Sequence, residues 1–210
     1  MIPFSCSCHQ RPIEVAALDS SLSKKSRSRL GVDIAVDWFR RAGANVHLLR
    51  MSDMPDASKH LFDPEVAPPL QIEAFSKHFE NADAIIVAGS VYNWGPSSAL
   101  LNTLHAILNP DGRRYRAFML IMGAGSPRSH LAYTSLSATI VHELHAIMCG
   151  PPILIAGQDA DMERGQLSPE IKNRIEYACA ALLCVAEATA AKYAPSIACC
   201  SQSSGCGSAI

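Results

Sequence analysis

Three short stretches of the sequence hold the side chains best suited to gripping a charged, flat ligand. The first, Ser20 to Arg29, carries Ser20, Ser21, Ser23, Ser26 and Ser28 together with Lys24, Lys25, Arg27 and Arg29, just ahead of a helical pattern. Unpaired backbone N–H groups and the positive end of the helix dipole point the same way at such a start, so hydroxyls and cations there make an anion site without a metal. The same residues also suit a plain serine-rich cap with solvated charges. The second stretch, Ala88 to Pro96, leaves an apolar run with Ser90, Val91, Tyr92, Asn93, Trp94 and Gly95, offering two aromatics and an amide to a flat ring. Folded back on the core, those two rings would instead be ordinary packing. The third, Gly123-Ala124-Gly125-Ser126, follows another apolar run and allows close approach of a backbone rich in free N–H groups.

Other chemistries lack their residues. Neither the G-x-G-x-x-G dinucleotide fingerprint nor the glycine-lysine-serine signature of a phosphate-binding P-loop stands in the first stretch. His142, Glu143 and His145 lie on a helical segment but not at the H-E-x-x-H spacing that brings two imidazoles to zinc, so no metal site is assigned. Ala88-Gly89-Ser90 stands where a phosphorylation receiver would need its acceptor aspartate. No nucleophile and base pair emerges, which leaves the catalytic residues unknown and the candidates as binding residues. Of the eight cysteines, Cys149, Cys179 and Cys184 fall in apolar segments and read as buried free thiols. Cys6, Cys8 and His9 near one end, and Cys199, Cys200 and Cys206 near the other, are not a disulfide framework; they suit the unused thiols of flexible tails, with soft-metal binding or disulfide exchange as the alternative.

What would position these stretches is an alternation of strand and helix. Apolar runs at Ile13 to Leu18, Val46 to Leu49, Ala84 to Ala88, Ala117 to Met122 and Ile153 to Ala156 read as five strands. Between and after them, helical spacing marks a helix through Leu30, Ile34 and Trp38 closing at Gly43, then Leu70 to Phe79 after Pro68-Pro69, Ser97 to Leu108, Leu131 to Met148, and a last helix opening at Ser168-Pro169-Glu170. Runs that are apolar on both faces are those of parallel strands covered by helices on each side. Such a doubly wound sheet binds ligands beyond the carboxyl ends of its strands, where all three stretches would meet.

The bulk composition agrees. A chain of 210 residues with 49% apolar and 18% charged residues can form one domain. We read residues 1–12 as a polar leader, 13–195 as the domain and 196–210 as a flexible tail. A net charge of -1 gives no global field for nucleic acid. No apolar run nears the roughly 20 residues of a membrane helix, and the opening carries no signal-peptide pattern, so a cytoplasmic location is expected.

The stretches also share a specific pattern. Ser20 to Ser28 follow the spacing G-S-x-R-x-x-S-x-N/S, with Ser21, Ser26 and Ser28 matching, and Ser90 to Asn102 follow P-E-Y-N-x-S-x-P-x-x-L-K-N, with Tyr92, Asn93, Leu100 and Asn102 matching. In this the chain resembles the NAD(P)H-dependent FMN reductase family, which includes quinone, azo-dye and chromate reductases. Ser23, Ser90, Val91, Leu101 and His105 depart from the family's arginine, proline, glutamate, lysine and aspartate. The resemblance covers about Ile13 to Ala156. It implies a flavodoxin-like α/β fold of three αβα layers, with a five-stranded parallel sheet in the order 2-1-3-4-5. It further implies FMN as cofactor, NAD(P)H as electron donor, a small-molecule acceptor, and a homodimer or homotetramer. The FMN contacts it implies are Ser21, Ser23, Ser26, Arg27 and Ser28 at the phosphate; Ser90 to Gly95 beside the ring; and Gly123, Ala124, Gly125 and Ser126 at its pyrimidine edge. An electron carrier or flavin sensor without nicotinamide turnover is the rival reading.

Overall fold

The computed structural model describes residues 11–54, 70–108 and 115–193. The expected leader (in its first ten residues), the Pro68-Pro69 helix start, the tail and the cysteines at either end lie outside the described residues.

Strand β1 (Glu14–Asp19) is followed by helix α1 (Arg27–Arg41), strand β2 (Asn45–Arg50) and helix α2 (Leu70–Asn81). Strand β3 (Ala84–Tyr92) then folds back on the two-residue β4 (Gly95–Pro96) before helix α3 (Ser98–Ile107). Strand β5 (Ala117–Gly123), helix α4 (Ala132–Leu144), strands β6 (Ile147–Met148) and β7 (Ile153–Ile155), a hairpin of β8 (Ala160–Asp161) and β9 (Gln166–Leu167), and helix α5 (Pro169–Tyr193) complete the chain.

The parallel sheet runs β2-β1-β3-β5, with both β6 and β7 on the far side of β5. This is the expected flavodoxin-like order, with the fifth position filled by two short pieces. Alternation along the strands explains the three layers. Val15, Ala17, Ile86, Met119 and Ile121 face a core with α1 and α5, while Ala16, Leu18, Ile85, Val87, Phe118 and Leu120 face a second core with α2, α3 and α4. Both faces are therefore dry, which is why these strands read as continuous apolar runs.

The expected helix Leu131 to Met148 is shorter at both ends. Residues Pro127–Leu131 form a 3-10 turn, and His145 at φ 48 closes α4 in the left-handed region. The released segment pairs as β6 with Ala117 and Phe118. Pro151 and Pro152, which lack amide donors, then break the edge before β7 resumes against Ile121 to Gly123. The expected caps are present, Gly43 at φ 83 after α1 and Ser168 accepting from the Ile171 N–H, and Ser97, expected as the first helical residue, instead caps α3 by accepting from the Leu100 N–H. Cys149 and Cys179 are buried free thiols, pushed up to about 11 and about 12 by burial. Cys184 is exposed, contrary to expectation, because it lies on the outer face of α5.

Gly123 joins the layers at the end of β5. A Cβ there would lie 2.8 Å from the Ser28 backbone nitrogen and 3.1 Å from the Arg27 Cβ, so the start of α1 rests directly on the β5 backbone. Gly123→Ala is expected to lower stability by about 1–3 kcal/mol, since the obstacle is main chain that cannot rotate away. The measurement is a urea transition, and an unchanged midpoint would show that α1 is not seated this closely.

Candidate functional site

Strand register brings the three stretches level. Asp19 pairs with Ala88, and Ser90 with Gly123, so β1, β3 and β5 end together at one edge of the sheet. A cavity of about 410 Å³ opens there. That size lies within the about 300–1,000 Å³ common for small-molecule sites. Of the residues expected at a ligand, it is lined by Ser21, Ser23, Ser26, Arg27, Ser90, Val91, Tyr92, Gly123, Ala124 and Gly125. Ser28, Asn93, Trp94, Gly95 and Ser126 do not line it. Lys25 and Met162 do. Met162 reaches the cavity from the β8–β9 hairpin, whose sequence carries no binding motif.

The first loop is a chain of small turns. Ser21 Oγ accepts from the Ser23 N–H at 3.3 Å, and Ser23 Oγ accepts from the Lys25 N–H at 3.2 Å. Ser26 caps α1, accepting from the Arg29 N–H at 3.1 Å. The Arg27 and Ser28 amides belong to the first turn, where no intrahelical acceptor exists. The four cations divide. Arg29 is drawn away to Ser52 Oγ at 2.9 Å and Asp53 at 3.8 Å, and Lys24 is exposed outside the cavity, which leaves Lys25 and Arg27 facing it. Arg27 Nε is buried with no partner among the described residues. A cationic helix start with free amides and an arginine Nε without a partner is a fit for a phosphate.

The second loop is a two-residue hairpin turn. Val91 pairs with Pro96 and Tyr92 with Gly95, while Asn93 and Trp94 take φ values of 49° and 65°. Such a turn favours asparagine then glycine, and a tryptophan in the second place is strained. Tyr92 and Trp94 are 64% and 56% exposed, so neither ring folds back on the core. In the third loop, a Cβ on Gly125 would meet nothing within 4 Å, and Ser126 caps the 3-10 turn by accepting from the Arg128 N–H.

One buried group was missed in the sequence. Asp19, at the end of β1, has no exposed surface, and its Oδ1 accepts the Ser21 N–H at 3.2 Å. Burial pushes its carboxyl up to about 6 against the opposing pull of that N–H, Arg50 and Arg29. Its last place in an apolar strand disguised it as a loop residue. Among the described residues no group of three or more His, Cys, Asp or Glu is gathered as metal ligands would be. No described helix is long and apolar enough to cross a membrane.

A family model described as NADPH-dependent FMN reductase matches residues 13–161. No curated protein matches the sequence at a significant level. Among solved structures, an oxidoreductase from Corynebacterium diphtheriae superposes with a TM-score of 0.67 at 18% identity, over 85% of this chain and 99% of that one. An NADH:FMN oxidoreductase in its apo form gives 0.66 at 16%, over 80% and 87%. A flavoenzyme NAD(P)H:acceptor oxidoreductase from Paracoccus denitrificans gives 0.62 at 17%, over 83% and 97%. At these identities the structures speak for the fold.

Two outcomes follow from the geometry. Because the folded state raises the Asp19 carboxyl to about 6, the native protein binds the extra proton between about pH 4 and 6. Stability should therefore fall as pH rises through that window and stay flat above it. Asp19→Asn should remove this fall and raise stability near pH 7.5 by about 2–3 kcal/mol, read from urea transitions across pH; superimposable profiles for the two proteins would contradict it. Trp94→Gly should relieve the turn and add about 1 kcal/mol of stability, read from urea transitions. A loss of stability would show that the Trp94 ring packs in a way its exposure conceals.

Proposed function

Because this chain belongs to the NADPH-dependent FMN reductase family, and is an oxidoreductase working with FMN and NAD(P)H, we propose that the cavity at the strand ends is its flavin site. The observation that carries this reading is the meeting of all three loops in one cavity. The chemistry that FMN would supply when bound is hydride and electron transfer between a nicotinamide and an acceptor.

The chain's own part is binding and orientation. Ser21, Ser23, Ser26, Arg27 and Ser28 hold the phosphate, with Lys25 as the second cation in place of the arginine that Ser23 replaces. Ser28 acts through its backbone amide, since its buried hydroxyl lies 3.3 Å from Ser26 Oγ. Ser90, Val91 and Tyr92 form the wall beside the ring, and the turn at Asn93, Trp94 and Gly95 lies next to its exposed side. Gly123, Ala124, Gly125 and Ser126 meet the pyrimidine edge, where a backbone without Cβ bulk at Gly125 leaves room. Met162, from the β8–β9 hairpin, adds an apolar side chain to the lining. One ring face is left to nicotinamide and then to an acceptor, which we propose is a quinone, azo compound, metal oxyanion or free flavin. We further propose a domain spanning residues 13–195, a homodimer or homotetramer, and a cytoplasmic location.

Titration with FMN followed by anaerobic NADPH or NADH tests this. The flavin absorbance is expected to shift on binding and to bleach with at least one nicotinamide. Arg27→Ala should weaken FMN about tenfold to a hundredfold, the worth of a charge-assisted contact, while leaving riboflavin unchanged. Bound FMN that stays oxidised would favour a carrier, and equal losses for FMN and riboflavin would remove Arg27 from the phosphate.

A further inference from the structure

The phosphate loop begins on a buried acid, which is an unusual neighbour for an anion. Asp19 Oδ1 accepts the Ser21 N–H, so the carboxyl is tied to the first residue of the loop that lines the cavity. Its Oδ2 is buried with no hydrogen-bond partner among the described residues. The groups facing it come from three elements. Arg50 on β2 is hydrogen-bonded to Asp33 on α1. Arg29 on α1 is bonded to Ser52 and lies 3.8 Å from Asp53 in the turn after β2. From β3 comes the Ala88 carbonyl, which accepts from both the backbone N–H and the hydroxyl of Ser20. Both arginines lower the cost of charge on Asp19 without a hydrogen bond to it, each being paired with another carboxylate, though Arg50 keeps a buried Nε with no partner among the described residues; Asp33 raises that cost.

A phosphate at Ser21 to Ser28 adds negative charge beside a carboxylate that already lacks solvent. The cheaper state is the one in which the buried carboxyl is neutral, because an unpaired hydroxyl costs less in the interior than an unpaired charge. We propose that Asp19 is a proton-linked positioning residue of the phosphate loop: FMN binding through its phosphate is accompanied by uptake of a proton from solvent onto Asp19. The proposal rests on the flavin-site reading above. It makes the grip on the phosphate, and so the preference for FMN over riboflavin, stronger at low pH than at high pH. The Ser21 N–H stays on the acid in both states, so the loop keeps its shape while its charge changes.

The experiment measures FMN and riboflavin dissociation constants from pH 5.5 to 8.5 for the wild-type protein and Asp19→Asn. A rise of one unit in the Asp19 pKa on binding corresponds to about tenfold in affinity. The variant should therefore bind FMN about tenfold tighter than wild type at pH 8, with the difference closing near pH 5.5. The titration of the FMN phosphate itself, near pH 6, is common to both proteins and cancels in the comparison. Riboflavin should bind both proteins alike at every pH. Calorimetry of the wild-type protein at pH 7, in buffers of different ionisation enthalpy, supplies a second reading that needs no variant: a few tenths of a proton taken up per FMN, and none per riboflavin. Parallel FMN profiles in the two proteins, or no proton uptake by wild type, would overturn the role of Asp19 and leave the flavin site standing. Absence of FMN binding by wild type at every pH would overturn the flavin site, and the proposal with it.

Discussion

The register of the parallel strands is the constraint on which the rest depends. With Asp19 opposite Ala88, and Ser90 opposite Gly123, three strands end at one level and their loops must share one space. A shift of one residue in β3 would turn Ile85 and Val87 toward the wrong core and take Ser90 away from Gly123. Register is held because both faces of the sheet are buried, one against α1 and α5 and the other against α2, α3 and α4. The hydrophobic packing of two cores is thus what fixes the position of a polar edge.

That edge is built from locally unfavourable choices. A tryptophan occupies a left-handed turn position, an acid is buried with an unpartnered oxygen, and an arginine carries a buried nitrogen without an acceptor. Each costs stability in the empty protein, of the order of 1–3 kcal/mol for a strained or unsatisfied group. The far end carries backbone strain as well, with Tyr115 and His145 at φ values of 60° and 48°, but its buried acid is satisfied: Asp83 takes two hydrogen bonds from Arg11 at 2.8 Å and one from the Glu14 N–H. The two buried acids thus differ: Asp83 is fully partnered, and Asp19 at the cavity edge is not.

Much of this was legible in the sequence. Five apolar runs gave the sheet, since strands buried on both faces leave no polar alternation to obscure them. Ser168 announced the start of α5 because capping is a local act of one side chain on its own backbone, and Ser26 and Ser97 do the same for α1 and α3. The split edge was not legible: Ala146 to Cys149 continue an apolar helical pattern, and only the left-handed His145 and the pairing of Ile147 and Met148 with β5 turn them into strand. Met162 was missed because its place depends on a hairpin folding over the cavity from far along the chain. Asp19 was missed because its burial is decided by β2, β3 and α1 together, and no spacing rule carries that.

The central claim is that one flavin engages three separate loops at one sheet edge. Amide hydrogen exchange with and without saturating FMN tests it most directly. Slower exchange is predicted together in residues 20–28, 90–97 and 123–126, with residues 170–181 of α5 unchanged. Protection confined to one of the three loops, or appearing first on α5, would contradict the account.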